Sequence, residues 1–264
     1  KQHLTDEFGA QFVSKDEASL LEAAAANPDA RAVVMPWTPD PLVTQAVLEK
    51  LPSLQIIVST YGGVKRNVAV DSALERGIRL TCTGAVRARS VAEFTLALMT
   101  DGLLYVSRTH HDMRSGQRFP RYGYSRELTE RTVGVVGFGA VTRELLSLIA
   151  PFRTTTLVYS THASKAELSK WNASSVSLNE LAQRSEVVVL LTGLTEKTRG
   201  MINASFLKQM QENALIVNTA RGKLIDEAAL ITELQTGRIR AALDVYEEEP
   251  LALDSPLRGL DNVT

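Results

Sequence analysis

The chain of 264 residues has little of several things, and each scarcity removes a class of protein. With one cysteine, Cys82, it can form no intrachain disulfide, which excludes a disulfide-built secreted scaffold and suits a reducing, cytoplasmic setting. No apolar run approaches the roughly 18 residues needed to cross a bilayer. The opening stretch KQHLTDEFG lacks the apolar core of a secretory signal. An excess of one charge is missing too. Basic side chains number 29 against 30 acidic ones, so no general field draws the chain to nucleic acid or to a membrane surface. No set of His, Cys and Asp has metal-ligand spacing, and there is neither a solenoid-length repeat nor a low-complexity tract. What remains is an ordinary mixture, 44% hydrophobic and 22% charged, long enough for two domains and a sizeable core.

What is present is rhythm. From residue 131, β-branched runs recur at 132–137, 155–160, 174–178, 186–191, 214–218 and 241–245. Helical patterns at 141–149, 179–184, 204–210 and 226–235 separate several of them. Most of the runs are apolar at nearly every position, as in VVVLL and LIVN, which predicts strands covered by helices on both faces. The first third has a similar, separate rhythm, with strands expected at 10–14, 32–35, 55–59 and 78–82 and helices at 16–26, 41–50 and 67–76. A long helical pattern over 90–114, carrying Val91, Phe94, Leu98, Leu103 and Tyr105, connects the halves, and the polar, basic stretch after it reads as a surface linker. The expected fold class is α/β, with two Rossmann-like or flavodoxin-like domains built on doubly wound parallel sheets. Residues 1–98 would form one domain and 99–264 the other.

The run RTVGVVGFGAVTREL, 131–145, is nearly a dinucleotide fingerprint. Gly137 permits a tight turn at a strand end, and Gly139 lets the backbone approach a pyrophosphate resting on the amides of Ala140 and Val141 at a helix start. The pattern asks for a small third residue and finds Thr142. That position serves helix–strand packing, so a modest strain is expected there rather than a lost ligand. Ligands of open α/β sheets bind beyond the carboxyl ends of the strands. Polar or permissive residues collect at those ends: Ser160 and Thr161, Thr192 and Gly193, Asn218 through Gly222, and Asp244. The tip of the second strand carries no acid for the ribose hydroxyls, whereas Ser160, His162 and Lys165 could receive a 2′-phosphate. The cofactor expected is NADP or NAD, with the balance toward NADP.

Three segments, VNTARGKLIDEAAL (217–230), AALDVYEEEPL (241–251) and DSPLRGLDNVT (254–264), resemble the D-isomer-specific 2-hydroxyacid dehydrogenases. SVAEFTLALM (90–99) and LTEKTRGMIN (194–203) match that family as well, so the resemblance runs collinearly over nearly the whole chain. It implies hydride transfer between NAD(P)(H) and a small 2-keto or 2-hydroxy acid of the D series, with 1–98 as the substrate-binding domain and 99–264 as the NAD(P)-binding domain. Arg221 would grip the substrate carboxylate and polarise the adjacent carbonyl. Glu249, the acid before Pro250, would raise the pKa of an acid/base histidine. Gly62 and Gly63 in STYGGV would bring backbone amides to the substrate carboxylate. Thr192, Thr198, Thr219 and Ala220 would line the cofactor, and Asp244 would meet the nicotinamide carboxamide. Lys65, Arg66, Arg87 and Arg89 would make the cleft unusually cationic. His3, His110, His111 and His162 match no family context, so the acid/base histidine is expected after Thr264, and the family's closing helix and the first strand of the first domain are also expected outside 1–264. A homodimer joined through 90–114 is expected. Two alternatives stay open: a catalytically weak dinucleotide-binding regulator, like the corepressors of this fold, and a formate- or phosphite-type dehydrogenase, with Glu249 counting against formate.

Overall fold

Short apolar strands alternate with helices through the first third of the chain in a computed structural model that describes residues 5–7, 9–36, 38, 40–60, 63–64, 67–116 and 125–264. Helix α1 (Glu17–Ala26) opens on Asp16, whose carboxylate accepts the Ser19 amide at 2.8 Å. Strand β1 (Ala32–Met35), α2 (Gln45–Lys50), β2 (Ile56–Ser59), α3 (Val70–Glu75) and β3 (Arg79–Cys82) follow. The three strands pair in parallel in the order β1-β2-β3, over a core that includes Leu20, Met35, Val47, Leu48, Ile57 and Ile78. Asn67, buried before α3, donates to the carbonyl and hydroxyl of Thr38 and to the Asp40 carbonyl at 2.7–2.9 Å. The strand expected at 10–14 is not there. Residues 9–14 are irregular, with Phe12 and Val13 exposed, because no described strand offers them a ladder, and an apolar pair alone does not make one. The helices expected from 41 and 67 start later, α2 at the Thr44 cap and α3 after Ala69.

The chain separates into two compact units, Lys1–Arg87 and Ala88–Thr264. Their limit and the expected one at 98/99 fall within one helix, α4 (Gly84–Leu104). The single helix expected over 90–114 is in fact two, α4 and α5 (Val106–Arg114), broken at Tyr105 in the left-handed region (φ 58°). Two side chains account for the break. Asp101 accepts the Ser107 amide at 2.7 Å and so starts α5. The buried guanidinium of Arg240 donates to the Gly102 carbonyl at 2.7 Å and so ends α4, with the Tyr105 ring 5.1 Å away. Neither α4 nor any other described helix is long and apolar enough to cross a membrane.

Six strands follow: β4 (Thr132–Val136), β5 (Thr155–Tyr159), β6 (Ala173–Ser175), β7 (Val187–Leu190), β8 (Leu215–Asn218) and β9 (Arg240–Leu243). Between them run α6 (Ala140–Ile149), α7 (Lys165–Ser169), α8 (Leu178–Arg184), α9 (Ala204–Gln209) and α10 (Glu227–Gln235). All pairings are parallel in the order β6-β5-β4-β7-β8-β9, so the strand order reverses between β4 and β7. Successive side chains point to opposite faces. Accordingly Val133, Val135, Val187, Val189, Leu215 and Val217 pack with Met99, Leu103, Leu145 and Ile149. Val136, Val188, Leu190 and Ile216 pack instead with Leu181, Phe206, Leu230 and Leu234. The third strand is shorter than the expected 174–178, because Ser177 and Glu180 form a reciprocal capping box that draws this stretch into α8.

Candidate active site

Parallel strands put all their carboxyl ends on one edge of the sheet, and the glycine turn lies at the middle of that edge. Gly137 ends β4 with φ 107°. A Cβ there would stand 2.7 Å from the Leu191 carbonyl oxygen and 2.9 Å from the Thr192 Cα, so conformation and close approach both require glycine. Gly139 caps α6, with open space where a side chain would be and no side chain capping the helix. The amides of Ala140 and Val141 therefore have no acceptor inside the helix, an arrangement that fits a pyrophosphate. Thr142 corrects the expected strain: it is fully buried, and its hydroxyl donates to the Gly137 carbonyl at 3.2 Å, closing the turn.

At the tip of β5, Ser160 accepts the amides of His162 and Ala163 at 3.2 and 3.3 Å, while Thr161, His162 and Lys165 are exposed. An acid that the sequence reading passed over stands close by. Glu167 completes a capping box with Ser164 and accepts Arg143 at 3.2 Å, and Arg143 in turn lies 4.5 Å over the Phe138 ring. The amide and hydroxyl of Ser164, then Arg143, hold the Glu167 carboxyl below its ordinary range.

After β7, Thr192 is partly buried, and the Thr198 hydroxyl donates to the Gly193 carbonyl and accepts the Thr195 amide, each at 2.8 Å, bracing its own loop. After β8, fully buried Asn218 shapes the next three residues, accepting the Ala220 amide at 3.1 Å and donating to the Arg221 carbonyl at 2.9 Å. Thr219 is buried with its hydroxyl 2.8 Å from that of Thr95 on α4. Thr95 spends its own hydrogen on Val91, so Thr219 is the donor. Arg221 is exposed, with one Nη donating to the Ala220 carbonyl at 2.5 Å.

Gly222 joins this loop to the next. A Cβ at Gly222 would lie 1.8 Å from the Tyr246 carbonyl oxygen and 2.5 Å from the Glu247 nitrogen, so the two backbones touch only because the residue is glycine. The Asp244 amide donates to the Asn218 carbonyl at 3.0 Å, and the Tyr246 amide to Glu249 Oε1 at 3.2 Å. Burial, and then the charge of Glu249, push the Asp244 carboxyl above its ordinary range. Arg221 and Glu249 thus stand on adjoining loops. The strand that leads to Arg221, β8, lies two strands from the glycine turn, about 10 Å by ordinary strand spacing.

In the first unit Gly63 is exposed, while Gly62, Lys65 and Arg66 lie outside the described residues. Arg89 pairs with Glu93 at 2.8 Å and Glu144 at 3.5 Å on helix surfaces. Among the described residues no group of three His, Cys, Asp or Glu side chains could hold a metal ion. Sequence reasoning missed Thr95 and Glu167, and it read Asn218 and Gly222 only as permissive residues at a strand end, not as the residues that hold these loops in place. Glu167 carried a legible sign, the S-x-x-E spacing of a capping box with Ser164, whereas the partner of Thr95 lies 124 positions away.

Comparison with known proteins bears on this edge. The family model described as D-isomer specific 2-hydroxyacid dehydrogenase, NAD binding domain, matches residues 96–264. The chain is similar to D-3-phosphoglycerate dehydrogenase of Methanocaldococcus jannaschii, 36% identical over 223 residues, 84% of this chain but only 42% of that protein. It is 36% identical over 230 residues to glyoxylate reductase of Pyrococcus furiosus, covering 84% of this chain and 68% of the relative. Among solved structures it is similar to D-lactate dehydrogenase from Aquifex aeolicus complexed with NAD and lactic acid, with a TM-score of 0.73 and 26% identity over 91% of this chain and 76% of the other.

Proposed function

The chain belongs to the D-isomer specific 2-hydroxyacid dehydrogenase family, and from that premise we propose that it moves a hydride between NAD(P)(H) and C2 of a small 2-keto or 2-hydroxy acid of the D series. The observation that carries this reading is the contact of Gly222 with the Tyr246 backbone, which keeps the Arg221 and Glu249 loops together on the edge that holds the glycine turn.

The residues present fit a dinucleotide. Gly139 leaves room at the uncapped start of α6, and the amides of Ala140 and Val141 would take the pyrophosphate. Ser160 and Thr161 would meet the adenosine ribose, and Thr192, Thr198, Thr219, Ala220 and Asp244 would border the nicotinamide side. When bound, the nicotinamide supplies or accepts the hydride. NADP is the preferred form in this reading, because Ser160, His162 and Lys165 offer donors to a 2′-phosphate and the nearby acid, Glu167, is already engaged by Ser164 and Arg143. The Arg221 guanidinium would hold the substrate carboxylate in its planar fork and draw electron density from the carbonyl oxygen. Gly62 and Gly63 would add backbone amides to that carboxylate. Glu249 would keep an acid/base histidine protonated for delivery to the substrate oxygen. By sequence context alone, none of His3, His110, His111 and His162 is assigned that role in this reading. A homodimer through the 90–114 region belongs to the same reading, supported by exposed Phe94, Leu104, Val106 and Met113 and checked by sedimentation at twice the chain mass.

The test is steady-state oxidation of NADPH and NADH by the full-length protein with glyoxylate, hydroxypyruvate and pyruvate. Turnover is expected with at least one of them. Arg221→Ala should lower kcat/KM by orders of magnitude and leave cofactor affinity nearly intact. An equal loss of cofactor binding would remove Arg221 from its role.

A further inference from the structure

Glu227 has no part in the chemistry above, yet its carboxylate reaches into the loop that carries Glu249. It is the first residue of α10, half-buried, next to Asp226, whose own side chain caps the helix by accepting the Ala229 amide at 3.0 Å. Glu227 Oε2 accepts the Glu247 amide at 2.9 Å. One residue earlier, the Tyr246 amide goes to Glu249 itself at 3.2 Å, and the Tyr246 carbonyl rests against Gly222. Two successive amides of one turn are thus taken by two carboxylates, one from within the turn and one from a helix. Packing adds little support on a neighbouring side, where Glu247, Lys223, Asp226 and Arg199 line an open hollow of about 240 Å³. A carboxylate suits the start of a helix, where it faces the positive end of the backbone dipoles.

We infer that Glu227 is a positioning residue: by holding the Glu247 amide it sets where the 246–249 turn presents Glu249 beside Arg221. This rests on the proposed roles of Arg221 and Glu249. The contact is a single hydrogen bond across the base of the turn, so its loss lets the turn shift while Gly222 keeps the loops in touch. Misplacement of a reacting constellation by about 1 Å costs on the order of a hundredfold in rate.

The experiment compares Glu227→Ala and Glu227→Gln with Arg221→Ala and Glu249→Gln in the full-length protein. Glu227→Ala is expected to lower kcat/KM for keto-acid reduction by about ten- to a hundredfold with the NAD(P)H dissociation constant unchanged. The alkaline limb of its pH profile is expected to move toward lower pH, in the direction of Glu249→Gln, because a displaced carboxylate no longer raises the pKa of the proton donor. A purely structural defect would lower the profile without moving that limb. Glu227→Gln keeps an acceptor oxygen and should recover most of the loss. Hydrogen exchange at the Glu247 amide should be slow in the parent and fast in Glu227→Ala. An unmoved limb in Glu227→Ala, a Gln variant as impaired as the Ala variant, or equal exchange at position 247 would overturn the inference. Full activity in Arg221→Ala and Glu249→Gln would instead overturn the functional reading beneath it.

Discussion

Asp244 stands where the backbone of β9 runs out, and its carboxyl is raised by partial burial and by Glu249. For an acid whose folded pKa lies above its unfolded one, the stabilising contribution is complete below the unfolded pKa and is lost as pH rises through the folded pKa. At neutral pH the native state therefore carries a charged group in an unfavourable place. Asp244→Asn should raise Tm at pH 7, and the gain should vanish in acid below the carboxylate range, while nicotinamide affinity falls. A Tm difference of the same size at both pH values would contradict a charge effect at this position. Single positions were legible in the sequence where a residue type stood out at the end of a predicted strand. Gly137 and Gly139 at a strand end and Arg221 at another are of this kind. The bonds that Asn218, Thr142 and Glu227 make were not legible, because they depend on loop geometry. The partner of Glu227 lies twenty positions along the chain, a spacing no local pattern encodes.

Helix α4 is tied to the end of β8 by the buried hydroxyl pair Thr95 and Thr219, 124 positions apart. Replacing Thr95 with Val removes the acceptor and leaves a buried donor without a partner, a loss of about 1–3 kcal/mol. Removing both hydroxyls leaves nothing unsatisfied. Thr95→Val/Thr219→Val should accordingly fall close to the parent in denaturant unfolding, and the cycle should show favourable coupling; additive losses would mean that the pair is not bonded in solution. The elements themselves were legible wherever period and capping agreed, as in β7, β8 and α6. The departures have physical causes. A capping box took Ser177 from a strand, a buried arginine and a capping aspartate split the 90–114 helix, and residues 10–14 found no ladder.

For the molecule as a whole, the six-stranded unit has the strand order of a dinucleotide-binding sheet, with its glycine turn at the reversal point and its arginine loop on the same edge. The parallel alternation of strands and helices made that much readable in advance, since parallel connection alone forces every loop after a strand to one side. The backbone contact at Gly222 was not readable, because it is a fact about two loops rather than one segment. The central claim is that hydride passes from nicotinamide C4 to C2 of a keto acid held by Arg221. The most direct measurement is the fate of deuterium in the full-length protein supplied with a turning-over 2-keto acid and NAD(P)H carrying deuterium at C4. The account predicts a D-2-hydroxy acid with one deuterium at C2 when the transferred face is labelled. A product whose C2 hydrogen comes from solvent, or cofactor consumed with no label reaching C2, would contradict it.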